Sequence, residues 1–228
     1  AAEHPDLEGF LERAGAAAAQ ALDLGALAEA AAPVSPGGEA RRLAPLGQRI
    51  AVASDEAFAF AYPHALADWR AQGAEVLPFS PLADEGPAQA ADAVFLPGGY
   101  PELHAGRLAA AGRFLGGLRA AAARGAAVYG ECGGYMALGE ALADTDGAVH
   151  AMAGLLPLET SFARRRMTLG YRRLAPREGA PWRGPLRGHE FHYASIVREG
   201  AAERLFDACD AAGGALAPMG LRRGRGAG

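Results

Sequence analysis

Three short apolar runs, Ile50-Ala51-Val52-Ala53, Ala93-Val94-Phe95-Leu96 and Ala126-Ala127-Val128-Tyr129, constrain this chain more than any other feature. A strand with one face in water alternates apolar and polar residues, so an unbroken run describes a strand buried on both faces. Helical stretches separate the runs: Pro63 to Gln72 turns Leu66 and Trp69 inward, and Leu108 to Ala123 reads as a second helix. Ala74 to Phe79 adds one more strand. Strands alternating with helices predict an α/β fold, a mostly parallel sheet with helices on both faces. From about His150 short runs continue without long helices between them, which predicts further strands, partly antiparallel, at the sheet edge. No repeat with a period of about 20 to 50 residues is visible, so a solenoid is excluded.

Upstream of Arg49 the pattern is different. Asp6 is placed to cap a helix carrying Leu7, Phe10, Leu11 and Ala14, and Asp23 a shorter one carrying Leu24 and Leu27. Ala32 to Gln48 then gathers Pro33, Pro36, Gly37, Gly38, Pro45 and Gly47, a composition that breaks both regular structures and reads as a linker. The predicted organisation is a peripheral helical segment with linker over 1–48 and one large domain over 49–228. The first residue is Ala and no signal-peptide pattern follows, so the chain reads as a piece of something longer.

Composition narrows the chemistry. All 22 basic residues are Arg and none is Lys, which removes Schiff-base and P-loop lysine chemistry from this chain. A net charge of −4 without a basic face gives no footing on a phosphate backbone, so no nucleic acid partner is expected. The two cysteines, Cys132 and Cys209, are too few for a secreted disulfide framework, and no apolar run reaches the roughly 18 residues of a membrane span. The expectation is a cytoplasmic protein that acts on small molecules and has no membrane partner.

In an open parallel sheet the ligand site lies beyond the carboxyl ends of the strands. There the last run leads into Gly130-Glu131-Cys132-Gly133-Gly134 and then a helix near Tyr135-Met136, the arrangement of a nucleophile elbow with Cys in place of Ser. A sharp strand-to-helix turn strains the nucleophile, and side chains two residues before and after it would collide. Cys132 is the predicted nucleophile. The helix N-terminus after it is expected to lower the thiol pKa, and the Gly133 N–H to face a developing oxyanion. The preceding strand ends in Pro97-Gly98-Gly99-Tyr100-Pro101-Glu102-Leu103-His104, and Gly98, Gly99 and Tyr100 are candidates for the second oxyanion donor.

Gly188-His189-Glu190-Phe191-His192-Tyr193 invites a metal reading, which strand geometry opposes. Residues three apart on a strand point to opposite faces, so His189 and His192 do not share an ion and no metal site is expected. Glu190 and His192 share one face, His189 and Phe191 the other. His64 and His104 lie in or beside strand-to-helix loops as possible site residues, while His4 and His150 read as exposed and Cys209 as structural. An arginine among Arg164, Arg165, Arg166 and Arg172 is suited to pair a carboxylate in bidentate fashion, though clustered arginines are also the mark of a solvated face.

Taken in order, Pro97-Gly98-Gly99-Tyr100-Pro101-Glu102, Gly130-Glu131-Cys132-Gly133-Gly134-Tyr135-Met136, Leu169-Gly170-Tyr171-Arg172 and Gly188-His189-Glu190-Phe191-His192-Tyr193 resemble the glutamine amidotransferase domain of the cobyrinic or hydrogenobyrinic acid a,c-diamide synthase family. Two of these segments, the Gly98 loop and the one near Gly188, favour that family over the cobyric acid synthases. The resemblance implies a class I type glutaminase fold joined behind an ATP-dependent synthetase domain. Residues 1–48 then resemble the tail of that partner and its linker. No cofactor is expected here; ATP and Mg2+ are implied in the synthetase domain, with glutamine and, through that domain, a corrin as partners.

The resemblance also implies the chemistry. Cys132 attacks the glutamine side-chain amide, Gly133 and the Gly98 to Tyr100 loop hold the oxyanion, and ammonia passes on to amidate the a and c acetate side chains. One departure stands out. The family's activating histidine belongs to a Ser-x-x-His segment after an Arg-Arg-Gly-Arg-like stretch. This chain stops at Leu221-Arg222-Arg223-Gly224-Arg225-Gly226-Ala227-Gly228, which reads as a C-terminally truncated domain, and that role does not transfer to His189 or His192. Two other readings remain open, a cysteine-nucleophile α/β hydrolase and a noncatalytic docking module for a synthetase.

Overall fold

The computed structural model describes residues 5–33 and 42–228, and the chain divides into two compact units, 1–41 and 42–228. His4, and Pro36, Gly37 and Gly38 of the Pro/Gly stretch, lie outside the described residues. In the first unit, α1 (Leu7–Ala21) starts where the Asp6 carboxylate accepts the Gly9 N–H at 3.0 Å. Helix α2 (Leu24–Ala30) starts likewise where Asp23 accepts from Ala26 at 3.0 Å. Neither helix contributes a buried residue.

The second unit begins before the first strand. Leu43 and Leu46 pack on the core, and the Ala44 carbonyl accepts the Trp182 indole N–H at 2.8 Å, so 42–48 is held against the sheet. The elements then follow as β1 (Arg49–Ala53), α3 (Pro63–Ala71), β2 (Glu75–Phe79), β3 (Ala93–Leu96), α4 (Ala105–Ala110), α5 (Gly112–Ala123), β4 (Ala127–Gly130) and α6 (Gly133–Leu138). β1, β2, β3 and β4 are parallel neighbours in the order β2-β1-β3-β4.

Burial on both faces is resolved residue by residue. Ala51, Ala53, Val94, Leu96 and Val128 join one core with Leu108, Phe114 and Leu118 of α4 and α5 and Met136 and Leu138 of α6. Their strand neighbours Ile50, Val52, Ala93, Phe95 and Tyr129 join a second core around Trp69 of α3 and Trp182. This is the consequence expected of unbroken apolar runs.

The helix expected over Leu108 to Ala123 is two helices with a break at Ala111. The reason is a cap delivered from a distant loop: Asp84 accepts the N–H groups of Arg113 and Phe114 at 2.8 and 3.0 Å and so starts α5 afresh. The rest of the chain supplies β5 (Ala141–Ala143), β6 (Val149–Ala151), β7 (Leu158–Ser161), β8 (Thr168–Pro176), β9 (Leu186–His192), β10 (Ser195–Glu199), β11 (Glu203–Asp210), β12 (Ala215–Arg223) and β13 (Gly226–Ala227). The large sheet runs β2-β1-β3-β4-β13-β12-β11-β8-β9, parallel as far as β13 and antiparallel beyond, so its antiparallel share is larger than the sequence suggested. Short connections are responsible, since only antiparallel strands can be joined without a crossover. A second sheet, β10-β7-β5-β6, packs beside it. No described helix is long and apolar enough to cross a membrane.

Candidate active site

The carboxyl ends of β3 and β4 converge on Cys132. Its backbone lies at φ 49° and ψ −112°, in the region that favours glycine, which is the strain expected of a nucleophile held on a sharp turn. The turn is pinned by hydrogen bonds from Glu131 N to the Leu96 carbonyl at 3.0 Å and from Gly134 N to the Pro97 carbonyl at 3.1 Å. The glycines are obligatory. A β-carbon at Gly134 would stand 2.6 Å from the Leu96 carbonyl carbon and nearer still to its oxygen, and one at Gly130 would stand 2.6 Å from the carbonyl of Gly134.

The loop after β3 reaches the same point. A β-carbon at Gly98 would meet the Cys132 Cβ at 3.2 Å and Sγ at 3.6 Å, and the loop is tied back where the Gly98 carbonyl accepts from Phe60 at 3.0 Å. The N–H groups of Gly133 and Gly99 both donate to the Cys132 sulfur. Of Gly98, Gly99 and Tyr100, Gly99 is the residue whose N–H reaches the sulfur. Gly98 makes the room, while Tyr100 stacks edge-on against Phe60 with ring centres 4.9 Å apart.

The thiol itself departs from expectation. Cys132 is exposed at the mouth of the site, but protein packed around it withdraws water from the sulfur and pushes its pKa up; the Gly133 and Gly99 N–H groups oppose this, and the carboxylates of Glu102 and Glu131 push it further up. The N-terminus of α6 does not prevail because burial of the sulfur outweighs it, with the charges of Glu102 and Glu131 adding to the rise. Glu131 and Glu102 are themselves raised, in both cases chiefly by burial. The Tyr129 hydroxyl donates to Glu131, whereas Glu102 Oε2 is buried with no hydrogen-bond partner among the described residues and feels the charge of Arg165. Tyr62 completes the rim: burial and then the charges of Glu131 and Cys132 raise its pKa, and its hydroxyl lies 3.4 Å from His189 Nε2.

Glu102, Glu131 and Tyr62 were not singled out by sequence reasoning. Glu102 and Glu131 were in view inside the two glycine motifs, but Tyr62 carries no local signal and arrives only through the fold. The histidines separate as strand geometry required: along β9, His189 is exposed and His192 lies on the half-buried face with Glu190. Glu190 accepts from Arg172 Nε and Nη2 at 2.9 and 2.6 Å and meets His192 Nε2 at 2.8 Å. Arg172 is thus committed to Glu190, while Arg164, Arg165 and Arg166 lie exposed between β7 and β8. His64 stands in the first turn of α3 with its ring 5.8 Å from Tyr62, and His104 precedes α4. His150, expected to be exposed, is half-buried on β6 and paired with Asp144 at 2.8 Å, because its strand packs in the second sheet. Cys209 sits on β11, with no strained turn around it.

A cysteine on a strained strand-to-helix turn, at the carboxyl edge of a helix-covered sheet, with two backbone donors on its sulfur, defines a nucleophile-elbow enzyme of the α/β class. Solved structures agree on the fold. The chain is similar to a protein described as a glutamine amidotransferase (TM-score 0.53, 17% identity, 79% of this chain and 87% of that one). It is likewise similar to PurLQS from Thermotoga maritima (TM-score 0.56, 18% identity, 79% and 84%). Sequence goes further: residues 49–223 match the CobB/CobQ-like glutamine amidotransferase domain, and the chain belongs to that family. Curated relatives include hydrogenobyrinate a,c-diamide synthases of Brucella anthropi, 59% identical over 98% of this chain, and of a Sinorhizobium species, 60% identical over 98%. One from Mesorhizobium japonicum is 51% identical over 98%. In each case the chain spans about half the relative's length, 52%.

Proposed function

We propose that this chain is the glutaminase half of an ATP-dependent synthase that amidates the a and c acetate side chains of hydrogenobyrinic or cobyrinic acid in cobalamin biosynthesis. The observation that carries the reading is Cys132 in its strained turn with the Gly99 and Gly133 N–H groups on the sulfur. The names of its half-matched relatives support the substrate.

In this reading the Cys132 thiolate adds to the side-chain amide of glutamine. The carbonyl electron pair moves onto oxygen, where the Gly99 and Gly133 N–H groups hold it. Collapse of the tetrahedral adduct expels ammonia, which takes up a proton as it leaves, and water then hydrolyses the γ-glutamyl thioester to glutamate. Glu102 anchors the substrate: a buried carboxylate oxygen without a partner suits the α-ammonium group, and exposed Arg165 beside it suits the α-carboxylate. The arriving cation offsets the charge of Glu102, which adds to the rise of the Cys132 pKa. ATP, with Mg2+, is assigned to the half outside this chain, because phosphate-gripping lysine is absent from all 228 residues.

Glutamine protection tests the reading. With iodoacetamide as probe and peptide mass spectrometry as readout, glutamine slows labelling of Cys132 in a saturable way and leaves Cys209 unchanged. Labelling of Cys132 that is indifferent to glutamine at millimolar concentration removes the reading.

A further inference from the structure

Along β8 and β9 the usual distribution of polarity is reversed in the part that holds His189. The covered side of this hairpin carries the ion network Arg172–Glu190–His192. The open side carries Leu169 opposite Phe191 and Tyr171 opposite His189. Leu169 is 65% exposed, Tyr171 75% and Phe191 51%, and Met167 and Tyr193 extend the same patch at either strand's end. The Phe191 and Tyr193 rings already pack on one another at 5.7 Å. Further along, polarity is normal again: Leu174 and Leu186 pack inward while Arg173 and Arg187 face water. A strand register is fixed by which side is buried, so a hairpin that turns charge inward and large apolar groups outward is arranged for a cover on its outer side.

The patch is continuous with the active site. His189, in the middle of the outer row, meets the Tyr62 hydroxyl, and Tyr62 lies in the field of Glu131 and Cys132. A body seated here meets the rim of the cysteine site.

We propose that the outer face of β8 and β9, centred on Leu169, Tyr171 and Phe191, is the seat of the ATP-dependent half of the enzyme. This rests on the glutaminase reading above. Two observations select that occupant over a second copy of the chain. The curated relatives carry, beyond the 52% this chain covers, a further body of nearly equal length. Being covalently joined, it stands at high effective concentration, so a patch of this modest size suffices. Ammonia made at Cys132 must also reach an acceptor without loss to water, which requires the acceptor body to close over the rim of the cysteine site rather than bind elsewhere.

The test joins this chain to the Brucella anthropi synthase in place of the half it matches, and measures hydrogen exchange of 167–173 and 187–193 in the joined protein and in the chain alone. Exchange at least about 10-fold slower in the joined protein is the expected result. Equal exchange overturns the proposal, as does slow exchange in the chain alone accompanied by dimers in sedimentation, which assigns the face to self-association. In the joined protein, Leu169→Asp with Phe191→Asp lowers glutamine-dependent diamide formation at least about 10-fold. Amidation driven by added ammonium chloride and the release of glutamate stay within about twofold. Loss of all three activities, or of none, contradicts the assignment. A joined protein that carries a Ser-x-x-His segment beyond Gly228 and still cannot hydrolyse glutamine refutes the underlying reading itself, whereas hydrolysis with an open β8–β9 face refutes only the docking site.

Discussion

Two glycine-to-alanine substitutions, chemically identical, have opposite expected effects. At Gly116, inside α5, an added β-carbon meets nothing within 4 Å among the described residues, so Gly116→Ala gains the helix propensity difference of about 0.8–1 kcal/mol. At Gly134 the same atom would stand 2.6 Å from the Leu96 carbonyl carbon, a backbone group that cannot rotate away. β3 and α6 must then separate at a site buried in the core, and overpacking of this kind costs about 1–3 kcal/mol. At about 2–4 °C per kcal/mol for a body of this size, Gly116→Ala raises Tm by about 2–4 °C. Gly134→Ala lowers it by roughly 2–12 °C. Calorimetric melting of the three proteins measures both shifts. Because the Gly134 N–H holds the Pro97 carbonyl, its displacement also moves Gly98 and Gly99 off the sulfur, so iodoacetamide labelling of Cys132 loses its protection by glutamine. A Gly134→Ala protein with unchanged Tm and unchanged protection would refute the claim that close approach, rather than chance, fixes the elbow glycines.

Three further outcomes follow from the site. The Cys132 pKa lies above its usual value, so its thiolate fraction at pH 7 is smaller than that of free cysteine; alkylation is slower at pH 7 and keeps rising with pH after the free thiol has levelled off. An earlier plateau in the pH profile, read by mass spectrometry, contradicts this. Glu102→Gln removes the carboxylate assigned to the substrate ammonium and raises the glutamine concentration for half-protection about 10- to 100-fold, the worth of one charged hydrogen bond, while protection by glutaramate, which lacks the ammonium, changes little. Extending the chain beyond Gly228 with a Ser-x-x-His segment raises glutamine turnover by about 10²- to 10⁴-fold, the usual contribution of a general base, and equal turnover would assign the base to a group within these 228 residues.

Much of the fold was legible because its signal is local. Runs such as Ala93 to Leu96 announce strands buried on both sides, and the two cores divide their residues alternately as such strands demand. Asp6 and Asp23 cap where their side chains permit, and the elbow is visible because its glycines and its cysteine are adjacent in sequence. What sequence did not disclose depends on partners far along the chain. The break at Ala111 needs Asp84, and the half-burial of His150 needs a second sheet that brings it to Asp144. The thiol shift has the same origin: a helix N-terminus was readable from the sequence, but the burial that raises the Cys132 pKa, and after it the charge of Glu102, exist only once the ends of β3 and β4 meet. The outward row on β8 and β9 was hidden for another reason. Alternation shows that a strand has two sides, not which of them the protein covers.

Acylation of Cys132 by glutamine is read from the mass of the intact protein, quenched in acid during incubation with glutamine. The expected result is a γ-glutamyl adduct located to the Cys132 peptide, released by hydroxylamine as a thioester must be, and absent from the Cys132→Ala protein. An adduct on Cys209, or a protein that consumes glutamine equally well without Cys132, contradicts it.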